Sequence, residues 1–209
     1  MKAINIKFIM RIIFIVLLVS AVAGCGGGGS GSSSSNSSTP ATVAPNTVVI
    51  TFAGNGTAGF TNGTGTAATF NVPTGITTDG TNLYVADTGN NAIRKIVLAT
   101  GQVTTLAGSG TAGFTNGASN AASFSSPSGI TTDGTNLYVT DNGNNVIREI
   151  VIATEEVATL AGSGTAGFSN GTGTSATFDA PLGIIISPDG AILYVTDNGN
   201  DAVREIQLQ

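Results

Sequence analysis

The octet AGNGTAGF at Ala53 returns as AGSGTAGF at Ala107 and again at Ala161, a spacing of 107 − 53 = 161 − 107 = 54 residues. A fixed interval of this length means that one supersecondary unit is built three times, each copy burying its apolar face against the next. The glycines at 54, 56 and 59 also have the spacing of the GxGxxG loop that cradles a dinucleotide pyrophosphate. That chemistry needs a strand before the loop, a helix opening at the last glycine and a carboxylate about 20 residues on. The sequence that follows, TNGTGTAATF, offers no long amphipathic helix, so the dipole that would hold phosphate is missing. The octet is expected to be a connection between units, its glycines relieving crowding where the chain crosses.

Composition agrees with short strands. Only 9% of the 209 residues are charged and 30 are glycine, with Thr, Asn and Ser abundant, which favours strands joined by tight turns over helices. The amino terminus is set apart from this. Lys2, Lys7 and Arg11 precede an apolar run, and Ile12 to Ala23 is twelve residues, where spanning hydrocarbon needs about 20. Residues 1–24 are therefore expected to be a secretory signal, and Val22, Ala23 and Gly24 before Cys25 resemble a bacterial lipobox, with Cys25 the lipidated residue. Cys25 is the only cysteine, so it has no disulfide partner in the chain. Residues 25–46, rich in Gly, Ser and Thr, read as a flexible tether. The expected location is the bacterial cell envelope, lipid-anchored at the outer membrane or cell surface. Without Lys2, Lys7 and Arg11, four basic residues face twelve acidic ones, a net charge of −8, which argues against nucleic acid as a partner.

From Gly75, Gly129 and Gly183 each copy runs through apolar segments of four to seven residues separated by turn chemistry: TDGTN or SPDG, then DTGNN or DNGN. Strands are expected at GITT, LYVA, AIRKIV and VTTLAG in the first copy and at the equivalent positions in the others. Four consecutive antiparallel strands form a propeller blade, so the fold class is all-β. FNVPTGI, FSSPSGI and FDAPLGI, followed by LYVADTGNNAIRKI and VTTLAG, resemble the NHL repeat of β-propellers across nearly everything after residue 47. The resemblance implies three four-stranded blades, about 53–106, 107–160 and 161–209. It implies little about activity, because related propellers serve both as binding platforms and as enzymes.

The third copy stops after its AVREIQ strand, while VVITFAG at Val48 matches the fourth strand of a blade. Three blades cannot surround an axis, since closed propellers have about four to eight. An open arc with exposed apolar end faces is expected, and residues 47–53 are read as an outer strand that closes a blade of a second copy in a six-bladed homodimer. A partial copy of a longer propeller is the alternative.

Positions repeated in every blade are expected to serve the fold. Asp87, Asp141 and Asp197 each precede Arg94, Arg148 and Arg204 by seven residues, which suggests an Asp-capped hairpin end with a charge contact. Tyr84, Tyr138 and Tyr194 read as blade packing with a hydroxyl reaching a polar partner. The functional alternative makes Asp87, Asp141, Asp179 and Asp197 oxygen ligands for Ca²⁺ in a lactonase or lyase assembled from two arcs. Positions that differ among copies include Asp179 against Asn71 and Ser125, Glu155 and Glu156 against Gly101 and Gln102, and Lys95 against Glu149 and Glu205. With no His anywhere, a Ser-His-Asp triad and imidazole metal ligation are excluded, so no catalytic residue and no cofactor are assigned. The expected role is a non-enzymatic platform for a protein or glycan.

Overall fold

The computed structural model describes residues 47–208; the signal segment, Cys25 and the tether to residue 46 lie outside the described residues. The first sheet contains β1 (Gly63–Thr64), β2 (Pro73–Thr78), β3 (Asn82–Asp87), β4 (Ala92–Val97) and β5 (Gln102–Ala107), in the order β1-β5-β4-β3-β2. The second repeats it with β6 (Gly117–Ala118), β7 (Pro127–Thr132), β8 (Asn136–Asp141), β9 (Val146–Val151) and β10 (Glu156–Ala161), in the order β6-β10-β9-β8-β7. The third has β11 (Pro181–Ile186), β12 (Ile192–Asp197) and β13 (Ala202–Gln207). Every named pairing is antiparallel, and β2, β7 and β11 touch in series as the inner strands of three stacked blades.

The three blades carry sheets of five, five and three strands: the first two contain the four expected strands and one more. The additional strand is the two-residue piece after each of the first two glycine octets, which folds back onto the outer edge of the fourth strand, Gly63 opposite Val103 and Gly117 opposite Val157. The third sheet has no fourth strand among the described residues, and Val48–Ala53 belongs to no strand because no third strand of a preceding blade lies beside it. The octets run from the ends of β5 and β10 into the next blade, and no α-helix follows them, only three-residue 3₁₀ turns such as Gly65–Ala67.

The cores lie between blades. Tyr84, Ala86, Ile93 and Leu106 of the first blade meet Phe124, Ile130, Val139 and Ile150 of the second. Ile147 and Ala161 of the second meet Phe178 and Val195 of the third. Blades stack closely because Gly75 and Gly129 face the neighbour: a Cβ on Gly75 would run into the Ser128 carbonyl, and one on Gly129 into that of Leu182. The turn between each second and third strand ends on a left-handed residue, Asn91 (φ 48°), Asn145 (φ 55°) or Asp201 (φ 50°), residue types that tolerate this region.

Candidate functional site

The seven-residue Asp–Arg spacing places the two side chains together across the hairpin of each blade. Arg94 Nη1 donates to Asp87 Oδ2 at 2.8 Å, Arg148 to Asp141 at 2.9 Å and Arg204 to Asp197 at 2.7 Å. Both terminal nitrogens of each guanidinium are hydrogen-bonded, while the Nε of Arg94 and of Arg148 is buried without a hydrogen-bond partner. Arg94 bonds the carbonyls of Thr69 and Thr61 and Asn62 Oδ1, and its carbon sits 4.9 Å from the centre of the Phe60 ring and 5.2 Å from that of Phe70. The same clamp forms from Phe114, Asn116 and Phe124 around Arg148, and from Phe168, Asn170 and Phe178 around Arg204. Buried charge is tolerable only when paired and hydrogen-bonded, and stacking on aromatic faces suits the planar guanidinium. The phenylalanine and asparagine that finish the clamp were not singled out in the sequence. Their signal was there, in GFTNG, GFTNG and GFSNG, which begin on the last two residues of each octet.

Each carboxylate is spent inside its blade. Asp87 Oδ1 accepts from the Asn71 amide and Oδ2 from Asn90 as well as Arg94; Asp141 does the same with Ser125 and Asn144, and Asp197 with Asp179 N–H and Asn200. The structure thus keeps Asp87, Asp141 and Asp197 in separate blades. Asp179 joins one of them through its backbone, while its side chain packs on Gly199. Among the described residues no group of three or more His, Cys, Asp or Glu is placed to hold a metal ion.

Burial pushes the Asp141 carboxyl up, against the donors of Asn144, Ser125 and Arg148, and pushes the Arg148 guanidinium down. Tyr84 is raised to about 12 by burial and by its hydrogen bond to Asp79, at 2.8 Å. Tyr138 is raised to about 12 mainly by burial; its hydroxyl bonds Asp133 at 3.0 Å. In the third blade the turn is two residues longer and Asp189 bonds Ser187 instead, and Tyr194 is 39% exposed. Lys95 is half-buried on β4 beside Tyr84, and Glu155 takes the left-handed corner (φ 59°) that Gly101 (φ 69°) occupies in the first blade.

One set of residues that differ among the blades gathers at a rim, where the segment before each inner strand meets the turn after the second strand. The Gly89 amide donates to Asn71 O, that of Gly143 to Ser125 O and that of Gly199 to Asp179 O, each within 2.9 Å. This brings Val72 and Thr88, Ser126 and Asn142, and Ala180 and Asn198 onto the same edge. Neighbouring blades are bolted together there: Thr88 Oγ1 donates to Pro127 O at 2.6 Å, Asn142 Nδ2 to Pro181 O at 3.1 Å, and the Ser126 and Ala180 amides to Asn91 and Asn145 Oδ1, both at 2.8 Å. The result is a surface of hydroxyl, amide and carbonyl groups, with the carboxylates of Asp179 and Asp201 at its third blade, chemistry suited to hydrogen-bonding a polar ligand.

No family model matches the chain. NHL repeat-containing protein 2 of Bos taurus is 32% identical over 137 residues, 61% of this chain and 19% of that protein. With three in-register sheets of the propeller type already in view, that likeness decides the class. The chain is an NHL-type β-propeller segment. Protein SUPPRESSOR OF QUENCHING 1, chloroplastic, of Arabidopsis thaliana is 34% identical over 170 residues, 75% of the NHL-type chain and 16% of that protein. This chain therefore spans less than a fifth of either curated relative. An auxiliary nutrient binding protein from Bacteroides thetaiotaomicron superposes with a TM-score of 0.52 at 19% identity, covering 60% of this chain and 34% of that one, a likeness of fold.

Proposed function

We propose that the NHL-type blades form a non-catalytic binding platform that takes a protein or glycan on its turn rim, held at the bacterial cell envelope by a lipid on Cys25. One observation carries this reading: Val72, Ser126 and Ala180, and Thr88, Asn142 and Asn198, equivalent positions that differ among the blades, share the rim, and inter-blade hydrogen bonds hold the rim in place before any ligand arrives. Preorganisation of this kind lowers the entropic cost of binding. The Asp–Arg pairs that recur in every blade are held inside the clamps, which fits a rigid scaffold whose contacts are made by the rim. The description of one similar fold as an auxiliary nutrient binding protein points the same way.

The test is an array of envelope and plant oligosaccharides together with crosslinking to envelope proteins in cells, using the full chain. Binding that Asn142→Ala and Asn198→Ala each weaken at least tenfold, with unchanged thermal unfolding for the exposed Asn198→Ala, supports the platform. Binding indifferent to both rim variants counts against it, as does turnover of any arrayed sugar.

A further inference from the structure

The two end blades are incomplete in complementary ways. Beside β13 the third sheet has an open slot of about 790 Å³, bordered on its far side by Gly171 and Thr172. In the first two blades the equivalent space holds a fourth strand, with Val103 opposite Ile96 and Gly63, and Val157 opposite Ile150 and Gly117. At the other end, Val48–Ala53 carries the matching sequence with no strand beside it: Val49 is 92% exposed where Val103 and Val157 are buried.

The blade faces repeat the pattern. Val203 is 70% exposed, while Ile93 and Ile147 at the same blade position are fully buried against the next blade. Ile76 is 61% exposed, while its equivalent Ile130 is buried against the preceding one. A second apolar groove of about 440 Å³ runs between Ile50–Ala53 and the face made by Phe70, Ile76, Val85 and Ile96.

The hydrogen bonds that tie blade to blade also have open ends. Asn91 and Asn145 accept from the amides of Ser126 and Ala180; the next pair in that series is Asp201 and Val72. Thr140 Oγ1 donates to Leu182 O, and the corresponding pair is Thr196 and Thr74. Gly129 is pressed against Leu182, whereas only Thr196 lies near Gly183.

We propose that the third blade of one copy docks on the first blade of a second copy, whose Val48–Ala53 enters the slot as the missing fourth strand. By the register of the intact blades, Ile206 then faces Val49, Glu205 faces Ile50 and Arg204 faces Thr51. Tyr194 and Val203 of one copy fill the groove over Ile76 and Val85 of the other. The junction is head-to-tail, and two of them related by a two-fold axis close three blades plus three into a six-bladed ring, within the closed range of about four to eight. This inference stands whatever the rim binds.

The test is the mass of the full chain in detergent, by sedimentation and light scattering. A two-copy species is expected, and Val203→Glu, harmless on an exposed face, halves the mass with unchanged circular dichroism. A monomer at high protein concentration, or an open head-to-tail polymer, overturns the proposal. A second arm oxidises the chain carrying Cys25→Ser, Val49→Cys and Ile206→Cys: a disulfide-linked band at twice the monomer mass is expected, and free thiols or a crosslink within one chain overturn it.

Discussion

Arg148 and Asp141 are both fully buried, and burial works against the charge of each, so the pair persists through its hydrogen bonds and the Phe114 and Phe124 faces. Removing Arg148 leaves the Asp141 carboxylate buried without its countercharge. Arg148→Ala is expected to cost about 3–5 kcal/mol in urea unfolding. Arg204→Ala should cost less, because Arg204 keeps 10% exposure and the covering ring of Phe168 is 64% exposed, so water can reach Asp197. The tyrosines give a second check. Tyr84 holds its proton more tightly folded than unfolded, so the associated stability is complete below pH 10 and lost as pH rises to about 12. Ultraviolet titration should show Tyr84 and Tyr138 ionising near 12, and Asp79→Asn should move Tyr84 back toward 10.

Among the elements, the third and fourth strands of each blade are joined at a corner that requires positive φ. The first blade fills it with Gly101 and the second with Glu155, with the same hydrogen bond of 2.8 Å back to the strand, from Gly101 N to Val97 O and from Glu155 N to Val151 O. An L side chain in this region costs about 1–2 kcal/mol. Glu155→Gly is therefore expected to stabilise the second blade by about 1 kcal/mol, read as a rise in the urea midpoint with an unchanged slope. The four principal strands were legible in the sequence because β-branched runs alternate with Asn-Gly and Asp-Gly turns. The two-residue outer strands β1 and β6 were not, since Gly63–Thr64 and Gly117–Ala118 have no strand propensity of their own and form only on the exposed edge of β5 and β10.

For the whole molecule, the exposed ends are the outstanding cost. Val49, Ile50, Ile76, Ile185 and Val203 are all more than 60% exposed, and covering each is worth about 1.5–3 kcal/mol. If a second copy covers them, folding and association are linked and Tm must rise with protein concentration. Calorimetry over a hundredfold range of concentration should show that rise for the parent chain and a flat Tm for Val203→Glu. A flat Tm in the parent would mean that the ends stay open.

The 54-residue interval by itself determined that the chain repeats one all-β unit and that its glycine octets are connections. Periodicity and turn chemistry act locally, so a linear sequence displays them directly. The Asp–Arg spacing likewise announced a contact. Only the tertiary structure decided what the contact is for: Phe60 and Asn62 lie more than 30 residues from Arg94, and folding alone brings them around it. The rim arose in the same way. Val72, Thr88, Ser126 and Asn142 sit in separate copies of the repeat's motifs, and they become one surface because hydrogen bonds between blades fix positions that the chain separates by dozens of residues.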